Sequence, residues 1–182
     1  GILADIVKAD RRAGDVIQRL RAFLKRGESN RQAHEVNEIV EESLLLMRSD
    51  LIARGVTVEC TLAPGLPSVR CDRVQIQQVI LNLLMNACDA MAGNESCERQ
   101  AKVSTVSGGG SVRISVRDAG RGLPPDIESL FQPFVTTKGQ GLGLGLAISR
   151  SIMESHEGKL WAEPQSRGAA FHVDLPVPEG MA

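Results

Sequence analysis

Gly139-Gln140-Gly141-Leu142-Gly143-Leu144-Gly145-Leu146-Ala147-Ile148 is the stretch on which the reading of this chain turns. Alternate glycines expose successive backbone N–H groups. The apolar pattern of Leu144–His156 predicts a helix whose positive end points at the same place, an arrangement that suits a phosphate chain. The run is not a P-loop, which needs Gly-Lys-Ser/Thr. It is not the dinucleotide fingerprint either, because no strand leads directly into it. Lys138, one residue upstream, adds a point charge for a terminal phosphate.

Working upstream, Asp118-Ala119-Gly120-Arg121-Gly122 follows a predicted strand. A carboxylate at a strand end can accept from an exocyclic amine, and the glycines let a ligand approach the backbone. On its own, Asp-x-Gly-x-Gly is also an ordinary turn. Further upstream, Asn82 and Asn86 stand four apart, so both carboxamides leave one face of a predicted helix. Their neighbours Val79, Ile80, Leu83, Leu84 and Met85 are strongly apolar, and amides set in such a helix must find partners or cost stability. A carboxamide oxygen can ligate Mg²⁺ without adding negative charge beside a polyphosphate.

The rest of the chain frames these three features. Ile2, Ile6, Ala9, Ala13, Val16, Leu20 and Phe23 recur at alternating four- and three-residue steps, the seam of a long helix over 3–26. Gly27 stops it, and Glu28-Ser29-Asn30-Arg31 reads as a linker. An amphipathic helix lying on the main domain is the alternative for this segment. The periodicity predicts helices over 37–53 and from the N-cap Asp72 to about Met91. Strands are expected at 56–62, 102–106, 111–117, 159–162 and 169–175, with a hairpin turn at Ser107-Gly108-Gly109-Gly110. Residues 123–140 carry three of the eight prolines and read as a long loop. Helices alternating with a mostly paired sheet give a two-layer α/β sandwich of a mixed sheet and three helices, preceded by one long helix.

Composition narrows the function classes. With 21 Lys+Arg against 22 Asp+Glu, the formal charge of −1 argues against a nucleic-acid or anionic-membrane partner. Four Phe, one Trp and no Tyr leave no stacking platform for single strands. No apolar run approaches the roughly 20 residues that span a bilayer. The start at Gly1 has neither a signal-peptide pattern nor an initiator Met and reads as a piece of a longer protein. Cys60, Cys71, Cys88 and Cys97 form no CxxC pair and do not group with His34, His156 or His172. Reduced thiols of a cytoplasmic chain are therefore expected, rather than zinc or disulfides.

Taken together, the three features resemble the ATP-binding catalytic domain of sensor histidine kinases, in the superfamily that includes gyrase B, the Hsp90 chaperones and MutL. The resemblance implies the Bergerat ATP-binding fold. Asn82…Asn86-Ala87 is similar to its N box, Asp118-x-Gly120-x-Gly122 to its G1 box and Gly141-x-Gly143-Leu144-Gly145-Leu146 to its G2 box. Phe131-Gln132-Pro133-Phe134-Val135-Thr136-Thr137-Lys138 resembles the F box on the nucleotide lid. The style of the last two boxes is that of PAS-linked kinases of the FixL kind. His156-Glu157-Gly158 resembles the turn after the G2 helix, with Glu157 where the family usually has Gly. The resemblance covers roughly residues 32–177, with the four boxes in order between Asn82 and Leu146.

Roles follow from that resemblance. ATP and Mg²⁺ are the implied substrate and cofactor: Asn86 ligates the metal, Asn82 supports the phosphates and Asp118 receives the adenine amino group. Gly120 and Gly122 shape the purine pocket. Thr137, Lys138, Gly141, Leu142, Gly143, Leu144, Gly145 and Leu146 surround the triphosphate and the lid. Asp89 stands where many kinases carry Lys or Arg near the phosphates, so neutralisation would lean on Mg²⁺, Lys138 and the G2 amides. The superfamily's hydrolases place a general-base Glu where Asn82 stands, and its absence favours delivery of the γ-phosphoryl to a protein nucleophile.

The resemblance also divides the chain: residues 1–27 look like the second helix of a dimerisation hairpin, and 32–180 like the catalytic domain. The acceptor histidine and its acidic neighbour would lie on the first helix, before Gly1, so this piece supplies no catalytic residue for autophosphorylation. His34-Glu35 imitates the start of the acceptor box but lacks its Pro and lies after the linker. The implied partners are a second copy through the N-terminal helix and a response-regulator receiver domain. A gyrase- or Hsp90-like ATPase and a nucleotide-binding module without kinase activity are the rival readings.

Overall fold

The computed structural model describes residues 30–135 and 143–178. Asp72 ends the extended chain at φ −82° and its carboxylate accepts from the N–H groups of Val74 and Gln75, which opens the helix that carries both asparagines. The elements in order are β1 (Gln32–His34), α1 (Val36–Ala53), β2 (Thr57–Leu62), β3 (Val69–Cys71), α2 (Arg73–Ala90), β4 (Gln100–Gly108), β5 (Ser111–Asp118), α3 (Gly145–Ser155), β6 (Lys159–Pro164) and β7 (Ala169–Pro176). Single 3-10 turns lie at Ser96–Glu98 and Glu128–Phe131.

Five strands form a mixed sheet in the order β2-β4-β5-β7-β6, with β2 parallel to β4 and the other pairs antiparallel. The expected β4–β5 hairpin closes between Gly108 and Ser111. Gly109 and Gly110 both hold positive φ, as a two-residue turn matching the strand twist demands. Alternate residues of the central strands are buried: Ala101, Val103 and Thr105, then Val112, Ile114 and Val116, then Phe171, Val173 and Leu175. They pack against Val36, Ile39, Val40 and Met47 of α1, Ile76, Val79, Ile80, Leu83 and Leu84 of α2, and Ile148, Ile152 and Met153 of α3. This is the expected two-layer sandwich with three helices.

The structure adds one pairing that periodicity did not predict. β1 and β3, three residues each, form a separate antiparallel ribbon that joins Gln32 to Cys71 and His34 to Val69. Alternation over three residues is too short to read. His34 therefore ends a strand leading into α1. The expected helix over 3–26, and with it the proposed 1–27 hairpin segment, lies outside the described residues.

The other sheet face is polar. Arg113 pairs with Asp174 through two hydrogen bonds (2.7 and 3.0 Å) and lies over the Trp161 ring, which stacks on His172. Ser115 Oγ is 2.8 Å from His172 Nδ1, while the buried Nε2 has no hydrogen-bond partner. Among the described residues, no helix is long and apolar enough to cross a membrane. All four cysteines are free thiols; burial pushes the Cys71 thiol up to about 11 and also raises Cys60 and Cys88.

Candidate functional site

Among the described residues, those expected at the site are arranged about α2. Asn82 lies near its middle, Asn86 one turn on, and Ala90 at its C-terminal end receives the loop that follows β5. Ala90 is eight positions on from Asn82, about 12 Å of helix. The two ends of the site are built differently.

At the Ala90 end, β5 delivers Asp118, 3% exposed, at the edge of the core. Its Oδ1 accepts the Gly120 N–H at 2.8 Å. Burial raises the carboxyl above its ordinary value, while N–H groups of Gly120 and Ala169 and the charge of Arg121 oppose that shift. A carboxylate has more acceptor sites than these two N–H groups fill, so it can also receive a ligand's donor. The loop must come close: a Cβ on Gly120 would lie 2.6 Å from the Ala90 carbonyl oxygen. The Arg121 N–H donates to that same oxygen, and Asn94 Nδ2 donates to the Ala119 carbonyl at 2.8 Å. Gly122 holds φ +81°, a conformation natural to glycine.

At the Asn82 end, α3 begins at Gly145 with Leu144 as its N-cap residue and no side-chain cap. Its first-turn N–H groups thus retain the anion-binding character of a helix start. Asn82 Nδ2 donates to Ser149 Oγ at 2.9 Å, and the Asn82 carboxamide fills the space a side chain at Gly145 would need. Leu144 is buried in the core, so it contributes backbone here, and Leu146 is partly buried against the same core. Gly143 (φ +65°) closes the loop root: its carbonyl accepts the Phe134 N–H at 3.1 Å, and a Cβ there would lie 2.6 Å from the Val135 oxygen. Phe134 itself stands exposed on a left-handed backbone, at φ 66°. Thr137, Lys138, Gly141 and Leu142 lie outside the described residues.

Asp89, which the sequence places awkwardly for phosphate binding, has its charge met elsewhere: Arg54 Nη1, from the C-cap of α1, is 2.7 Å from Asp89 Oδ1. Among the described residues no group of three or more His, Cys, Asp or Glu side chains could hold a metal ion. A metal here would depend on the Asn86 carboxamide and on oxygens of the ligand itself, a donor set that fits Mg²⁺, which keeps much of its water.

Several partners in this site were not singled out from the sequence. Ser149 meets Asn82 across 67 positions. Gly168, in the β6–β7 turn at φ +78°, packs directly against the Asp118 and Gly120 backbone. Arg150 pairs with Glu128 (2.8 Å) and lies over the Phe131 ring, 3.8 Å from its centre, so α3 also holds the root of the F-box segment. Ser166-Arg167-Gly168 is an ordinary turn signal; only the fold shows what it abuts.

A dry carboxylate among glycines at one end of α2, and helix-start amides beside the Asn82 carboxamide further along it, suit a nucleotide-binding domain. The family model described as histidine kinase-, DNA gyrase B-, and HSP90-like ATPase matches residues 71–179, and the chain belongs to that family. Similar proteins are sensor histidine kinases. The sensor protein FixL of Bradyrhizobium diazoefficiens is 43% identical over 169 residues, 91% of this chain and 33% of that protein. The C4-dicarboxylate transport sensor protein DctS of Rhodobacter capsulatus is 36% identical over 93% of this chain and 26% of that protein. The chain thus spans a third or less of these two relatives. The catalytic domain of histidine kinase ThkA, nucleotide-free, superposes with a TM-score of 0.72 at 32% identity, covering 81% of this chain and 95% of that one. ThkA in complex with response regulator protein TrrA gives 0.79 at 27% identity, over 95% of this chain and 49% of that one. The described residues are the ATP-binding catalytic domain of this kinase type.

Proposed function

We propose that this domain presents the γ-phosphoryl group of Mg·ATP to a histidine carried on a separate segment, as the kinase part of a two-component sensor. The observation that carries the reading is the buried Asp118 carboxylate, about 12 Å along α2 from the uncapped start of α3: an acceptor for the adenine amino group at one end and amides for phosphate at the other. Asn86 holds the metal, which neutralises phosphate charge when bound. Asp118 accepts from the adenine amine, and Gly120 and Gly122 let the purine lie against the backbone. The amides of Gly143 and Gly145, with Gly141, Leu142, Thr137 and Lys138, take the phosphates.

No carboxylate stands at position 82 to activate water, so the chemistry is transfer to a better nucleophile through electrostatic stabilisation and alignment. The acceptor imidazole belongs to the dimerisation hairpin, of which residues 1–27 are the second helix, and a second copy pairs through that helix. A receiver domain takes the phosphoryl group onward, and the domain works on the cytosolic side, where ATP is. The experiment supplies a separate hairpin bearing its histidine together with radiolabelled ATP. Acid-labile, base-stable label on that histidine supports the kinase reading. Tight ATP binding without label supports the binding-module reading, and ATP turnover without any acceptor supports the hydrolase reading.

A further inference from the structure

Asn82 was expected to support phosphate, yet its contacts are with α3. The Nδ2–H donates to Ser149 Oγ at 2.9 Å, and Oδ1, Cγ and Nδ2 together fill the space above Gly145. Gly145 and Ser149 are four apart and face the same way, so one carboxamide spans a whole turn of the helix. It fixes α3 both along its axis and in rotation. Ser149 is 2% exposed, and a buried hydroxyl in that position relies on the Asn82 amide as its partner.

The other end of α3 is held independently. His156 Nε2 accepts the Asp72 N–H at 3.0 Å, and Nδ1 is 2.8 Å from the Ile152 carbonyl oxygen, which places the ring proton on Nδ1. With His156 as a fixed point, the Asn82–Ser149 contact decides where the first turn of α3 lies. That turn carries the amides the phosphates would meet, and Arg150, in the next turn, pairs with Glu128 and lies over the Phe131 ring.

We propose that Asn82 and Ser149 form a latch that sets the helix-start amides of α3 for the nucleotide's phosphates, making Ser149 a positioning residue. The proposal rests on the reading of the site as an Mg·ATP site. It makes Asn82 act through α3 rather than by touching phosphate.

The test measures ATP, ADP and adenosine binding to the full chain with Mg²⁺ present, by calorimetry for the nucleotides and ligand-detected NMR for adenosine. Ser149→Ala weakens ATP and ADP about tenfold, the loss expected for one hydrogen bond, and leaves adenosine binding unchanged. Ser149→Thr, which keeps the hydroxyl, recovers most of that affinity. Asn82→Ala made in the Ser149→Ala background adds little further loss, because the two residues act as one unit. Equal ATP affinity in Ser149→Ala and parent overturns the latch while leaving the site reading intact, and so do fully additive losses, which would put Asn82 on the phosphate itself. A loss that extends equally to adenosine also overturns it, marking Ser149 as generally structural. A parent chain that binds no ATP overturns the site reading instead.

Discussion

Gly168 and Asp118 are packed backbone to backbone: a side chain at position 168 would have to occupy the place of the Asp118 carbonyl oxygen. The β6–β7 turn therefore presses on the strand end that carries the Asp118 carboxylate, the proposed adenine acceptor. Gly168 also holds φ +78°, where an L side chain is strained. Gly168→Ala is expected to cost about 2–4 kcal/mol of stability, strain and collision together, and to displace the carboxylate. Urea unfolding reads the first effect and ATP titration the second; a variant with parental values for both would show that this contact is dispensable.

Asp118→Asn keeps the size of the side chain and an oxygen for the Gly120 N–H, and removes a buried charge. ATP affinity should fall about 10- to 100-fold, since the adenine amine loses a charged acceptor. The melting temperature should move by less than about 5 °C. Calorimetry and thermal unfolding on the same sample separate the two effects, and undiminished ATP binding would remove Asp118 from the purine pocket.

Asn86→Ala should uncouple nucleotide from metal. In the parent, ATP affinity rises when Mg²⁺ is added; in the variant, titrations with Mg²⁺ and with excess chelator should coincide. A variant whose ATP affinity still responds fully to Mg²⁺ would place the metal on other ligands.

Stability should fall as the solution is made acid from neutral. Burial holds both His156 and His172 below the ordinary imidazole value of 6.5, despite Asp72 near the first and Glu163 and Asp174 near the second; Arg31, Arg113 and Arg117 push the same way as burial. Above that value both states are neutral and the contribution is complete. Below it the unfolded chain takes protons that the folded chain refuses, and stability drops at up to about 2.7 kcal/mol per pH unit until the folded-state values are reached. Asp118 acts with the opposite sign, because its folded value is raised, and it does so nearer its own ordinary 3.8. Urea unfolding between about pH 7.5 and pH 5.5 isolates the histidine effect. Stability that rises over that interval would contradict it.

Much of this was legible in the sequence because it is local. The i, i+4 asparagines, the alternating glycines before a helix and the Asp at a strand end each carry their geometry within a few residues, and the Asp72 cap sits where its side chain indicated. The illegible parts are long-range. Ser149 reads as one more residue on the face of α3 until α2 is laid beside it. Gly168 reads as a turn. Asp89 reads as a misplaced charge until Arg54 arrives from the end of α1. The β1–β3 ribbon joins two strands too short to show a period.

The most direct test of the central claim is phosphoryl transfer in trans: this chain, a separately made hairpin bearing the acceptor histidine, and γ-labelled ATP with Mg²⁺. The account predicts acid-labile, base-stable label on the hairpin, lost when the chain carries Asn86→Ala. Release of labelled inorganic phosphate at the same rate with and without the hairpin, and no label on it, would contradict the account.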